Sequence, residues 1–130
     1  MWSRLTELFK KKPIYIPFEV LIPFDCDDTL VMWVDKFDKS DLTEFKCPYT
    51  GEAIFLKPHQ KHISLLKKYK KRGFGVKVWS HGGAPWAREV VRVLELEHYV
   101  DIIETKPDRY IDDLHCKEFM GQRVYIKDDK

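Results

Sequence analysis

The sequence predicts an α/β fold in a single domain covering residues 1–130, built on a mainly parallel sheet of about five strands flanked by helices. Three observations predict it. Short apolar runs of strand length alternate with stretches of helical periodicity, the pattern that produces parallel strands joined by crossover helices. The 130 residues are 44% hydrophobic and 14% aromatic, enough for one core and too few for a second catalytic domain. Acidic and small polar residues stand where the apolar runs break off, at the strand ends where open α/β sheets place their ligand sites.

The elements follow in order. Residues 1–12 read as an amphipathic helix, with Trp2, Leu5, Leu8 and Phe9 on one face and Ser3 as a candidate cap. Pro13 and Pro17 then exclude helix until Val20-Leu21-Ile22, a buried strand ending near Asp25. Pro23 sits inside that strand, so either the ladder hydrogen bond there is already absent or the strand begins differently. Residues 31–57 form the least regular part and hold a small hairpin flap, Glu44–Cys47 and Ala53–Leu56, around a turn at 48–52. From Pro58 to Arg72, Ile63, Leu65, Leu66 and Tyr69 mark a helical stripe that Gly73 stops, and Phe74–Trp79 is the next strand. Ser80–Pro85 is a loop opening a helix from about Pro85 to Glu97, carried by Ala87, Val90, Val91 and Leu94. Val100–Ile103, Arg109–Ile111 and Arg123–Ile126 read as the remaining strands.

Composition narrows the function classes. A formal charge of +2 is too mild for a surface devoted to nucleic acid, although positive charge gathers at Lys10–Lys12 and Lys67–Arg72. The second run is most simply a solvated helix end favoured by the dipole. No apolar stretch approaches the roughly 18–20 residues of a membrane span, and the amino terminus lacks a signal-peptide core, so the chain reads as cytoplasmic. Cys26, Cys47 and Cys116 are odd in number and unrelated in spacing, which fits reduced thiols.

The chemistry-bearing residues begin with Asp25-Cys26-Asp27-Asp28-Thr29, two carboxylates two positions apart at the end of an apolar strand. Ser80 closes Val76-Lys77-Val78-Trp79; Lys106 precedes Pro107; Asp112-Asp113 closes Tyr110-Ile111. Each alone has an ordinary reading, as a loop acid, a helix cap, a solvated lysine or a turn. Together and in this order they resemble the four motifs of the haloacid dehalogenase superfamily over about residues 18–126. A second acidic pair, Asp128-Asp129, is an alternative to Asp112-Asp113 but lies almost at the terminus.

The resemblance implies a Rossmann-like sheet and a Mg²⁺-dependent phosphomonoester hydrolase. A phosphate dianion repels nucleophiles, so a carboxylate attacks it only where positive charge offsets the phosphoryl oxygens. By resemblance, Asp25 is the nucleophile that forms an aspartyl-phosphate, and Asp27 is the acid and then the base. Ser80, His81, Gly82 and Lys106 would bind phosphate, Lys106 also neutralising Asp25. Asp25, the carbonyl of Asp27 and Asp112 would hold Mg²⁺, with Asp113 either a direct ligand or an orienting neighbour. Backbone N–H groups at Gly82 and Gly83 are further candidate donors.

Neither the 31–57 flap nor the interval from Ser80 to Lys106 has room for a large cap, so the resemblance implies an open, capless site. Such a site suits a bulky substrate such as a nucleotide, a nucleic-acid end or a phosphoprotein, or else a partner subunit that roofs it, with Trp33, Phe37, Tyr49, Phe55, His81 and Trp86 as candidate rim residues. Alternatives are a phosphotransferase of the same fold, or a non-catalytic binding module docking a partner through residues 2–9. Cys47-Pro48-Tyr49-Thr50-Gly51 resembles half a zinc knuckle but reads better as a hairpin turn, and His59 and His62 read as surface residues.

Overall fold

A computed structural model describes residues 20–35 and 38–127. The expected amino-terminal helix, Phe37 and the Asp128-Asp129 pair lie outside the described residues. In chain order come β1 (Leu21–Asp25), β2 (Val31–Met32), β3 (Thr43–Lys46), β4 (Ala53–Pro58), α1 (Gln60–Lys71), β5 (Gly75–Ser80), α2 (Ala84–Val93), a 3-10 turn at Glu97–Tyr99, β6 (Ile102–Thr105) and α3 (Cys116–Phe119).

These strands form two sheets of three, one parallel in the order β1-β5-β6 and one antiparallel in the order β2-β4-β3. The fold is therefore mixed α/β, but the single sheet of about five strands is not what forms. Arg109–Ile111 and Arg123–Ile126 join no sheet among the described residues. Residues 107–125 are exposed throughout, and the ring contacts there are local or at an edge, Tyr110 with Phe119 and Tyr125 with His59 and His62, rather than on a sheet face. Tyr125 and Ile126 are instead held by hydrogen bonds that involve side chains.

Register explains why the site residues converge. Leu21 lies opposite Gly75 and Asp25 opposite Trp79, while Ser80 lies opposite Thr105. All three parallel strands thus end at one level, and the backbone N–H of Lys106 reaches the carbonyl of Ser80 at 2.9 Å. Pro23 costs nothing in this ladder. The carbonyl of Val20 accepts the N–H of Gly75, so even-numbered residues of β1 face β5 and Pro23 turns its missing donor to the strand's other edge.

The faces of β5 alternate, with Val76, Val78 and Ser80 buried. Phe24 from β1 joins Val76 and Val78, packs edge-on to Tyr69 of α1 at 6.2 Å, and meets Leu66 in the same core. Trp86, Ala87, Val90 and Val91 give α2 its buried stripe. Each buried Val, Leu or Phe side chain contributes about 1.5–3 kcal/mol, so this shared core outweighs any surface contact. The expected helix to Glu97 stops at Val93 because Glu95 takes a left-handed φ of 56° and sends Leu96 back into the core.

The predicted hairpin is present, with Thr43 opposite Leu56 and Lys46 opposite Ala53. Its turn is closed by the N–H of Gly51 on the carbonyl of Cys47, and β2 adds a third strand by pairing Val31 with Pro58. Phe45 stacks edge-on against Trp86 at 5.9 Å, which anchors this small sheet on α2.

His59 and His62 are buried, not on the surface. The Nδ1 of His59 accepts the backbone N–H of His62, capping α1, while its Nε2 lies 2.9 Å from the carbonyl of Ile126. The Nε2 of His62 accepts the N–H of Ile126 at 2.9 Å, and its Nδ1 lies 2.8 Å from the carbonyl of Thr29. Since each ring nitrogen that accepts carries no proton, the other nitrogen of each ring is the donor. The rings stack at 3.8 Å under the edge of Tyr125, whose hydroxyl donates to the carbonyl of Asp28 at 3.0 Å.

Candidate active site

The end of β1 is a tight loop. The carbonyl of Cys26 accepts the N–H groups of Thr29, Leu30 and Val31 at 3.1, 2.9 and 3.1 Å, and Asp28 adopts a left-handed φ of 60°. Asp tolerates that conformation better than most side chains, because its short carboxylate bonds locally. Here its Oδ1 accepts the backbone N–H of Trp33 at 3.1 Å. This loop sets Asp25 and Asp27 at the same rim while leaving the Cys26 side chain in the core, where burial, followed by the charges of Asp27 and Asp25, pushes its thiol pKa far up.

Asp25 is half-buried. Thr29 Oγ1 donates to its Oδ2 at 3.3 Å, and Lys106 Nζ stands 3.8 Å from its Oδ1, each side chain of that pair about a third exposed. An ion pair so open to water is worth about 0–1 kcal/mol, so its presence says little about stability and more about local charge.

Asp27 has three donors. The indole Nε1 of Trp33 donates to its Oδ1 at 2.8 Å and that of Trp86 to the same oxygen at 3.1 Å, while Ser80 Oγ donates to Oδ2 at 3.3 Å. The sequence makes both indoles candidates for stacking at the rim. Their N–H groups instead point at a carboxylate, the partner that the buried Trp86 ring needs and that the exposed Trp33 ring shares.

Ser80 is buried and fully bonded. Its Oγ accepts the N–H of Gly82 at 2.9 Å, and its carbonyl accepts the N–H groups of Gly83 and Lys106. The Gly82 and Gly83 amides are therefore committed within the loop and are not spare phosphate donors in this arrangement. Tyr49 reaches across from the flap to donate its hydroxyl to the carbonyl of Gly82 at 2.8 Å. Gly83 takes a φ of 101° and its missing Cβ leaves the room that the Tyr49 hydroxyl occupies. His81 is exposed, its Nε2 3.4 Å from the carbonyl of Pro107. Phe55 lies under the ammonium of Lys39 at 4.4 Å.

The structure thus brings together Asp25, Asp27, Ser80 and Lys106, with Thr29, Trp33 and Trp86 added. It does not gather Asp112 and Asp113 with them: both are exposed, and Asp112 Oδ1 accepts the N–H of Leu114 in a local turn at 2.9 Å. Among the described residues no group of three or more His, Cys, Asp or Glu side chains could hold a metal ion. The expected set of Asp25, Asp27 and Asp112 with Asp113 does not fit a Mg²⁺ ion as these residues stand.

A cavity of about 900 Å³ opens beside Asp25 and Lys106, bounded by Trp79, Tyr69 and Tyr125. Trp79 is the cross-strand neighbour of Asp25, and the ammonium groups of Lys77 and Lys106 lie 4.1 and 5.8 Å from its ring centre. No helix among the described residues is long and apolar enough to cross a membrane. No family model, curated protein or solved structure matches the chain.

Proposed function

We propose that this protein is a phosphomonoester hydrolase in which Asp25 attacks the phosphoryl group. One observation carries the reading: Asp25, Asp27, Ser80 and Lys106 meet at one sheet edge, with Lys106 Nζ 3.8 Å from Asp25 Oδ1 and Ser80 Oγ 3.3 Å from Asp27 Oδ2. A carboxylate nucleophile needs a cation nearby to accept it beside a dianionic phosphate, and Lys106 is placed for that.

In the first half-reaction an Asp25 oxygen bonds to phosphorus and the bond to the leaving oxygen breaks. That oxygen takes a proton from Asp27. In the second, water bonds to phosphorus, gives its proton to Asp27, and the bond to Asp25 breaks to release inorganic phosphate. The cavity of about 900 Å³ beside Trp79 has room for a nucleoside, which favours nucleotides and phosphorylated polymer ends as the substrate class. A Mg²⁺ requirement belongs to the proposal through the sequence resemblance alone, and no step above runs through the ion.

The test is phosphate release from p-nitrophenyl phosphate and from a terminally phosphorylated oligonucleotide, each with and without Mg²⁺, for wild type and Asp25→Asn. Release abolished by Asp25→Asn supports the assignment. Equal release by both proteins, or none from either substrate with Mg²⁺ present, removes it. Transfer to glycerol in place of water would identify a phosphotransferase.

A further inference from the structure

The carboxylate of Asp27 is held asymmetrically, and the asymmetry dictates where its proton can sit. Oδ1 accepts two indole N–H groups, from Trp33 at 2.8 Å and Trp86 at 3.1 Å. An indole is a donor only, so neither ring can turn to receive a proton placed on that oxygen. Oδ2 faces a hydroxyl, Ser80 Oγ at 3.3 Å, and a hydroxyl can donate or accept.

We propose that Trp33 and Trp86 are positioning residues that confine the transferable proton of Asp27 to Oδ2, the oxygen facing Ser80, so that the site is built for substrates whose leaving oxygen must be protonated. The inference rests on the hydrolase reading above. With Oδ1 closed, protonated Asp27 presents its hydrogen on one oxygen and one side. Ser80 Oγ, which already accepts the N–H of Gly82 at 2.9 Å, is then released from donating to Asp27 and turns its hydrogen toward a phosphoryl oxygen. When the leaving oxygen departs it takes the Oδ2 proton, Asp27 becomes a carboxylate, and Oδ2 is again the open base for water. The two indoles come from separate elements, Trp33 from the segment after β2 and Trp86 from α2, so the clamp closes only when the small sheet is seated on α2. Alkyl phosphates, whose alkoxides are poor leaving groups, depend on this proton, whereas p-nitrophenolate leaves without it.

Trp33 is 53% exposed, so Trp33→Phe removes its N–H with little packing loss. For Trp33→Phe we expect kcat/KM on glycerol 2-phosphate to fall about ten-fold or more, with p-nitrophenyl phosphate falling about two-fold, because a positioned acid contributes roughly 10²–10⁴-fold only where the leaving group needs it. Equal losses on both substrates would overturn the clamp and leave the hydrolase reading standing. Turnover of neither substrate by the wild type would sink the hydrolase reading, and the clamp's role with it. An independent readout uses the four indole N–H resonances of the ¹⁵N-labelled protein, one for each Trp. Asp27→Asn should shift the two assigned to Trp33 and Trp86 by single-Trp substitution; a spectrum in which neither moves would refute the hydrogen bonds themselves.

Discussion

Replacing His59 by Phe tests whether the buried histidine pair fastens the carboxyl-terminal segment to the domain. His59 is fully buried and makes two bonds at once, accepting the N–H of His62 to cap α1 and donating to the carbonyl of Ile126. Losing an N-cap costs about 1 kcal/mol and losing an ordinary hydrogen bond about 1 kcal/mol more, so His59→Phe should destabilise the protein by about 2 kcal/mol. For a chain of 130 residues this corresponds to a drop in Tm of roughly 6–10 °C. His62→Phe removes the partners of Thr29 and Ile126 and should cost about the same. Both variants release the same Ile126 attachment. The double variant should therefore fall short of the summed cost by about 1 kcal/mol, within the range found for residues in one network. Urea denaturation gives all four stabilities, and amide exchange at Tyr125 and Ile126 reports the release directly. Additivity within about 0.5 kcal/mol, or unchanged protection at Ile126, would refute the shared fastening.

Further expectations concern the loops and thiols. Gly83→Ala should cost about 1–3 kcal/mol by thermal melting, since it combines a left-handed backbone with a Cβ against the Tyr49 hydroxyl, and a Tyr49→Phe background should recover the steric share only. Asp101→Ala should cost about 2 kcal/mol, because its Oδ2 accepts the N–H of Val76 at 2.8 Å where β5 meets β6, whereas Lys70→Met, removing its partly exposed ion pair, should cost under about 1 kcal/mol in the same denaturation assay. Cys47 should react with a disulfide reagent ahead of Cys26. The Thr50 hydroxyl, then the backbone N–H groups of Tyr49 and Thr50, lower the Cys47 pKa, while burial and the neighbouring acids raise that of Cys26. A lowered pKa fills the thiolate at lower pH, so Thr50→Val should move the Cys47 rate profile to higher pH, and identical profiles would refute the assignment.

Much of the parallel sheet could be read from the chain because its cues are local. Val76 and Val78 alternate with Lys77 and Trp79, and Gly73 stops the preceding helix through its left-handed φ of 93°. The four groups that meet at the sheet edge were legible for the same reason: each closes a recognisable strand, and parallel register brings strand ends level. The roles of Trp33 and Trp86 were not legible, because hydrogen bonding to Asp27 depends on how the small sheet seats on α2 and not on spacing along the chain. The burial of His59 and His62 depends likewise on a segment more than sixty residues away. Apolar triplets such as Val124-Tyr125-Ile126 satisfy strand propensity but fix no partner, and here side chains take the backbone bonds that a ladder would have used.

The position of Pro23 has a consequence for self-association. Along the described residues, β1 pairs with β5 on one side only, and a bare strand flank is the usual starting point for chain-to-chain polymerisation. On that flank Leu21 and Asp25 retain their N–H groups, and the residue between them has none. An incoming strand would meet a gap at the centre of a five-residue template and a carboxylate at its end. The strand that carries the proposed nucleophile is thereby a poor template for a second copy of the chain.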